Sequence, residues 1–206
     1  MNIHHITRKT ILATVAAMAI PAAAFAAPAL AGSSTAPHTT SITTTSASCP
    51  RGWGSLPEVN SRVRSPLSAA PTAVTNVRTG RHACFDRLVI DLSHGRTGYD
   101  VRYVSSVHED ASGRLVPLRG GARLQIVLRA PSYDINTGKP TYTPKNKSEL
   151  TNVAGYRTFR QVAFAGSFEG QTNLGLGVRA RLPFRVLTLA GPGSGSRLVI
   201  DVAHHW

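Results

Sequence analysis

Asp86, Asp91 and Asp201 stand inside or beside short apolar runs, each close to Arg87 or Arg197. Carboxylates so placed can act as acid/base catalysts or simply pair with guanidinium groups. With an arginine at hand for each run, pairing is the simpler account. A glycosidase-type carboxylate pair would have to be assembled in space from the ten acids of the chain. His82, His94, His108, His204 and His205 form no H-E-x-x-H motif, and His204-His205 would point to opposite faces of an extended strand. No metal site and no cofactor is implied. The glycine run Gly191-Pro192-Gly193-Ser194-Gly195-Ser196 lacks the Lys-Ser/Thr ending of a phosphate-binding loop and precedes a strand rather than a helix. Gly138-Lys139 fails as well, with Pro140 after it and Tyr133 where the loop's first glycine belongs. No serine lies in G-x-S-x-G, so no nucleophile elbow is present. The expectation is a protein that is not an enzyme.

Cys49 and Cys84 are the two cysteines of the chain. An even count in an oxidising compartment favours a disulfide, here tying the Cys49–Gly54 segment to the first strand of a domain. A redox role would want Cys-x-x-Cys spacing, and zinc would want further ligands.

The elements that must position these residues have a period of two. Arg87–Leu92, Asp100–Val104, Gly121–Leu128, Phe159–Ala165, Asn173–Ala180, Phe184–Leu189 and Ser196–Ala203 read as short strands parted by Gly/Pro turns. Leu174, Leu176 and Val178 alternate with Asn173, Gly175, Gly177 and Arg179, the pattern of a strand with one wet face. Eighteen glycines and 13 prolines also suit many turns better than long helices. The expected fold is all-β, a small β-sandwich or open barrel. The string RLVIDL at 87–92 recurs as RLVIDV at 197–202. It is either shared strand composition or the mark of two related halves packed symmetrically.

One stretch breaks the short-turn rule. Residues 131–157 have no sustained periodicity and read as one long irregular loop, of the kind that is functional or disordered. It gathers Tyr133, Tyr142 and Tyr156 with Lys139, Lys145 and Lys147, three of the five tyrosines and three of the four lysines. Aromatic faces beside cations can hold sugar rings and anionic groups, which makes these six the candidate ligand-binding residues. The alternative is a solvated insertion whose tyrosines pack back on the sandwich.

The N-terminal part reads as an address. His4, His5, Arg8 and Lys9 precede an apolar run, Ile11 to Ile20, then Pro21 and small residues, as in a secretory signal peptide over residues 1–31. Cleavage is expected after Ala31, with Ala24-Phe25-Ala26 as a second small-x-small site. A retained anchor is the alternative, but the run is shorter than the ~20 residues that span a bilayer. Residues 32–48, with 11 Ser or Thr in 17 positions, cannot bury enough surface to offset ordering and read as a flexible linker. The domain is then 49–206. The net charge of +13 becomes +11 once Arg8 and Lys9 leave with the signal. Export argues against nucleic acid and toward anionic envelope polymers or a membrane surface.

The strings CFDRLVIDL at 84–92, GYDVRYV at 98–104, LQIVLRAPSYD at 124–134, GYRTFRQVAFAGSFEGQTNLGLGVRARLPFRVLTL at 155–189 and SRLVIDVAH at 196–204 together resemble the AMIN-like domain of small secreted actinobacterial proteins. That family is related to the AMIN domain of N-acetylmuramoyl-L-alanine amidases and type IV pilus secretins. The resemblance covers roughly residues 50 to 206. It implies two small packed β-sheets with internal pseudo-symmetry and a role at the cell wall, where AMIN domains bind peptidoglycan. It carries no catalytic residue over. The long loop and the cysteine pair depart from the amidase-linked pattern.

The expected function is a secreted, non-catalytic binding domain for cell-wall peptidoglycan or an associated anionic wall polymer. A module docking another exported protein through a sheet edge is the second reading. A small hydrolase built from scattered Asp, Glu and His is the third.

Overall fold

The computed structural model describes residues 49, 51–61 and 71–206. The expected signal peptide 1–31 and linker 32–48 lie outside the described residues. Eleven strands and no helix are found among those described. They are β1 (Glu58–Asn60), β2 (Val74–Arg81), β3 (Phe85–Leu92), β4 (Tyr99–Val104), β5 (Val107–His108), β6 (Leu115–Val116), β7 (Ala122–Leu128), β8 (Phe159–Phe168), β9 (Gln171–Val178), β10 (Phe184–Ala190) and β11 (Ser196–Ala203).

Two antiparallel sheets form the sandwich, ordered β1-β4-β7-β9-β8 and β10-β11-β3-β2, with β5-β6 as a separate hairpin. Period-two alternation sends Leu88, Ile90, Leu198 and Ile200 from one sheet, and Leu124, Ile126, Leu174 and Leu176 from the other, into one fully buried core. At about 25 cal/mol per Å² of apolar surface removed from water, such side chains contribute roughly 1.5–3 kcal/mol each.

The repeated RLVID strings are direct neighbours. β3 and β11 pair antiparallel with Arg197 opposite Asp91, Val199 opposite Val89, and Asp201 opposite Arg87. A local two-fold relation therefore passes through the Val89/Val199 pair and places each arginine beside the other copy's aspartate. This is the symmetric packing of related strands, not only shared composition.

One strand differs from its sequence reading. β9 is buried on both faces, not wet on one. Gly175 and Gly177 alternate outward, and with Ala163 and Ala165 of β8 they form a floor of small residues on which Val107, Val116 and Leu118 pack as a second apolar cluster. A Cβ on Gly177 would sit 2.1 Å from the Arg119 carbonyl oxygen, so glycine is what lets the chain cross the sheet here. The glycines were a sign of close backbone approach rather than of solvent.

Candidate functional site

Residues 131–157 form a strap along one side of the sandwich, where β2 and β8 end their sheets. The Val74 N–H donates to the Pro131 carbonyl, and the Thr141 hydroxyl donates to the Val74 carbonyl. Further along, Phe164 N–H donates to Lys147 O, and Leu150 N–H to Val162 O, so the strap occupies the edge of β8. Gln161, almost fully buried, accepts from Arg119 N–H and donates to Ser148 O, pinning the strap beside the β6–β7 connection. Asx-type turns order the rest: Asp134 accepts from Asn136 and Thr137 N–H, and these bonds hold its carboxyl below the ordinary aspartate value.

Of the sequence-predicted residues, Tyr142 and Tyr156 turn inward. Tyr142 meets Phe164 edge-on at 6.2 Å, and burial pushes its hydroxyl above the usual tyrosine value. Tyr156 stacks on Phe159 at 5.9 Å and donates to the Thr79 hydroxyl. Tyr133 is half-buried, and its hydroxyl accepts from Gly170 N–H in the β8–β9 turn. Lys139, Lys145 and Lys147 are exposed and, among the described residues, form no ion pair within 4 Å. The six are thus spread along the strap instead of converging.

Tyr156 does line a recess of about 400 Å³ with Arg119, Glu149, Asn152 and Arg160. The Arg81 guanidinium stands 6.0 Å from the centre of its ring. Arg119 is held by Glu149 and by the Arg160 carbonyl. Arg160 bonds backbone carbonyls and, like Arg81 and the exposed Arg157, forms no ion pair, which leaves this end of the strap cationic.

The opposite side of the sandwich is closed by the N-terminal segment. The Cys49–Cys84 disulfide is formed. Its second half lies in the turn just before β3, with β1 and β2 earlier in the chain, so it is not the first strand that is tied. Phe184 N–H donates to Gly54 O, and Arg181 donates to the Ser55 hydroxyl and carbonyl. These ties lay Trp53 over the Arg185 guanidinium at 4.3 Å, with Phe85 at 5.6 Å. Arg185 shares the fully buried Asp201 carboxylate with Arg87, whose bonds to it are 2.6 and 2.8 Å long.

At the far end of β11, adjacent side chains diverge as an extended chain requires. His204 is buried, with Nε2 3.2 Å from Asp86 Oδ1 and Nδ1 3.2 Å from Ala83 O, and Asp86 also accepts from Thr158 and Phe159 N–H. Asp86 therefore pairs with a histidine and two backbone donors, not with an arginine. His205 faces solvent, and Trp206 donates its indole N–H to Arg181 O. Between Trp53, Trp206, His205, Arg51 and the disulfide lies a cleft of about 540 Å³. Sequence reasoning missed it: Trp53 and Trp206 stand near opposite ends of the described chain, and no local pattern brings them together.

Among the described residues no three His, Cys, Asp or Glu side chains gather as a metal site. Two packed antiparallel sheets form a small β-sandwich, with aromatic and cationic recesses at its sides. The AMIN-like domain model matches residues 72–204, and the chain belongs to the AMIN-like domain family. No curated protein and no solved structure shows a significant match to it. Membership points to a binding domain related to the cell envelope, in a family whose domains are generally non-catalytic and occur in extracytoplasmic proteins.

Proposed function

We propose that this chain is a secreted, non-catalytic domain that binds cell-wall peptidoglycan or an anionic polymer attached to it. Residues 1–31 act as the export signal, 32–48 as a spacer and 49–206 as the binding domain. The observation that carries the reading is the unpaired positive charge on the strap and on the strand ends beside it. Among the described residues, Lys139, Lys145, Lys147, Arg81, Arg157 and Arg160 form no ion pair within 4 Å, while Asp91, Asp201, Glu109 and Glu149 are already engaged by other arginines. An extended polyanion meets these cations along the strap, and the accessible edges of Tyr133, Tyr142 and Tyr156 supply apolar contact. The test is retention on isolated sacculi by a Lys139→Ala/Lys145→Ala/Lys147→Ala protein. Retention reduced severalfold, with the deficit shrinking as salt rises, is the expected result; unchanged retention removes the strap from the site.

One observation favours a second reading. Among the described residues, the strap covers the edge of β8 and contacts that of β2, whereas β10 pairs with β11 and meets Gly54 only at Phe184, with exposed Leu189 near its other end. An exported protein partner adding a strand there would be captured by a photo-crosslinker at Thr188 but not by one at Lys145.

A further inference from the structure

We propose that the cleft between Trp53 and Trp206 is a second binding site, distinct from the strap, for a sugar ring bearing a carboxylate. The proposal rests on the envelope reading for where such a sugar is met, but its argument lies in the cleft. Its volume of about 540 Å³ falls in the range of small-ligand sites.

Each indole has a partner without any ligand present. Trp53 is seated on Arg185, and Trp206 is anchored by its N–H on Arg181 O. Little side-chain freedom is then lost on binding. The buried His204–Asp86 contact and the bond from His204 N–H to Cys84 O hold the strand end that presents His205 and Trp206.

Trp206 nonetheless leaves 77% of its surface in water, a large aromatic kept in place and uncovered. With Trp53 it lines the same cleft, so two aromatic surfaces stand open to a ligand there. A pyranose matches it, since the C–H face of the ring is apolar while its rim carries hydroxyls, the same division that an anchored indole shows.

Charge selects among sugars. Among the described residues, Arg51 and His205 line the cleft and no Asp or Glu side chain does. Arg185 is already committed to Asp201, so Arg51 is the guanidinium open to an acidic substituent.

The two tryptophans are the only ones in the chain, so their fluorescence reports this cleft alone. The disulfide-bonded protein is titrated with N-acetylmuramic acid and with N-acetylglucosamine, which lacks the lactyl carboxylate, at matched ionic strength. A saturable change is expected for both, with the acidic sugar tighter by roughly fivefold or more. Arg51→Ala should erase that preference while keeping the response to the neutral sugar. Trp206→Ala should abolish binding in ligand-observed NMR, which needs no indole reporter. No saturable response to either sugar overturns the proposal, as does a preference that survives Arg51→Ala. Sacculus retention separates the two readings. A Trp206→Ala protein that still sediments, from a parent that ignores both sugars, leaves the envelope reading standing and removes the cleft. A parent that binds the sugars but not sacculi does the reverse.

Discussion

Asp91 and Asp201 occupy the same place in the two RLVID strings but different environments. Asp201 is fully buried between Arg87 and Arg185, whereas the Asp91 side chain keeps 23% of its surface exposed and is held by Arg78 with Arg197 farther off at 3.6 Å. Removing one partner of a buried pair strands the others, so Asp201→Asn should cost about 3 kcal/mol. Asp91→Asn should cost about 1 kcal/mol or less, as partly exposed pairs do. Urea unfolding of the two variants gives the comparison, and equal losses would contradict the asymmetry. Acid provides a second check. The hydrogen bond from Arg78 lowers the Asp91 pKa below its ordinary value. The stability it contributes is full above the unfolded value of about 3.9 and is lost as pH falls through the lower folded value. Arg78→Ala should therefore flatten the decline in urea midpoint between pH 4 and pH 2. That Asp91 and Asp201 would pair with arginine was legible from Arg87 and Arg197 in the same strings, but Arg78 and Arg185, which also hold them, lie outside those strings. The Asp86–His204 contact was not, since nothing local joins residues 118 apart in the chain.

Strands with apolar alternation were readable at the level of elements: β3, β4, β7, β10 and β11 fall within a few residues of their expected bounds. β2 (VTNVRTGR) was missed because an edge strand with polar residues on its outer face and a bulge near Asn76 breaks the period. β1 and the β5–β6 hairpin are too short to show one. The glycines of β9 misled, because a missing side chain looks the same in sequence whether water or backbone fills the space. Gly177→Ala tests the close approach and should destabilise by about 2–3 kcal/mol through overpacking against Arg119 O. Loss of protection from hydrogen exchange should be largest at β5–β6, which packs on that floor; a neutral substitution would contradict the role given to the glycine. The long loop was correctly marked as exceptional, but its hydrogen bonds to β2 and β8 depend on tertiary neighbours that no local pattern reveals.

At the scale of the whole molecule, the sandwich is closed on one side by the strap and on the other by the disulfide-tethered segment that carries Trp53. Cys49 and Cys84 lie 35 residues apart, and replacing both with Ala should lower stability by roughly 3–4 kcal/mol on the chain-entropy account. The same variant should lose the shielding of Trp53, read as a red shift of its emission. The disulfide was legible from cysteine count and the expected compartment; the cleft beside it was not, because its walls come from opposite ends of the described chain. The central claim is that the unpaired cations of this basic domain hold an anionic envelope polymer. Its most direct test is co-sedimentation of the disulfide-bonded protein with isolated sacculi across a salt series, before and after the anionic polymers are stripped. Retention at low salt that falls as salt rises is the predicted result, with its loss on stripping assigning the contact to the polymer. A folded protein that stays in the supernatant at low salt would contradict the account.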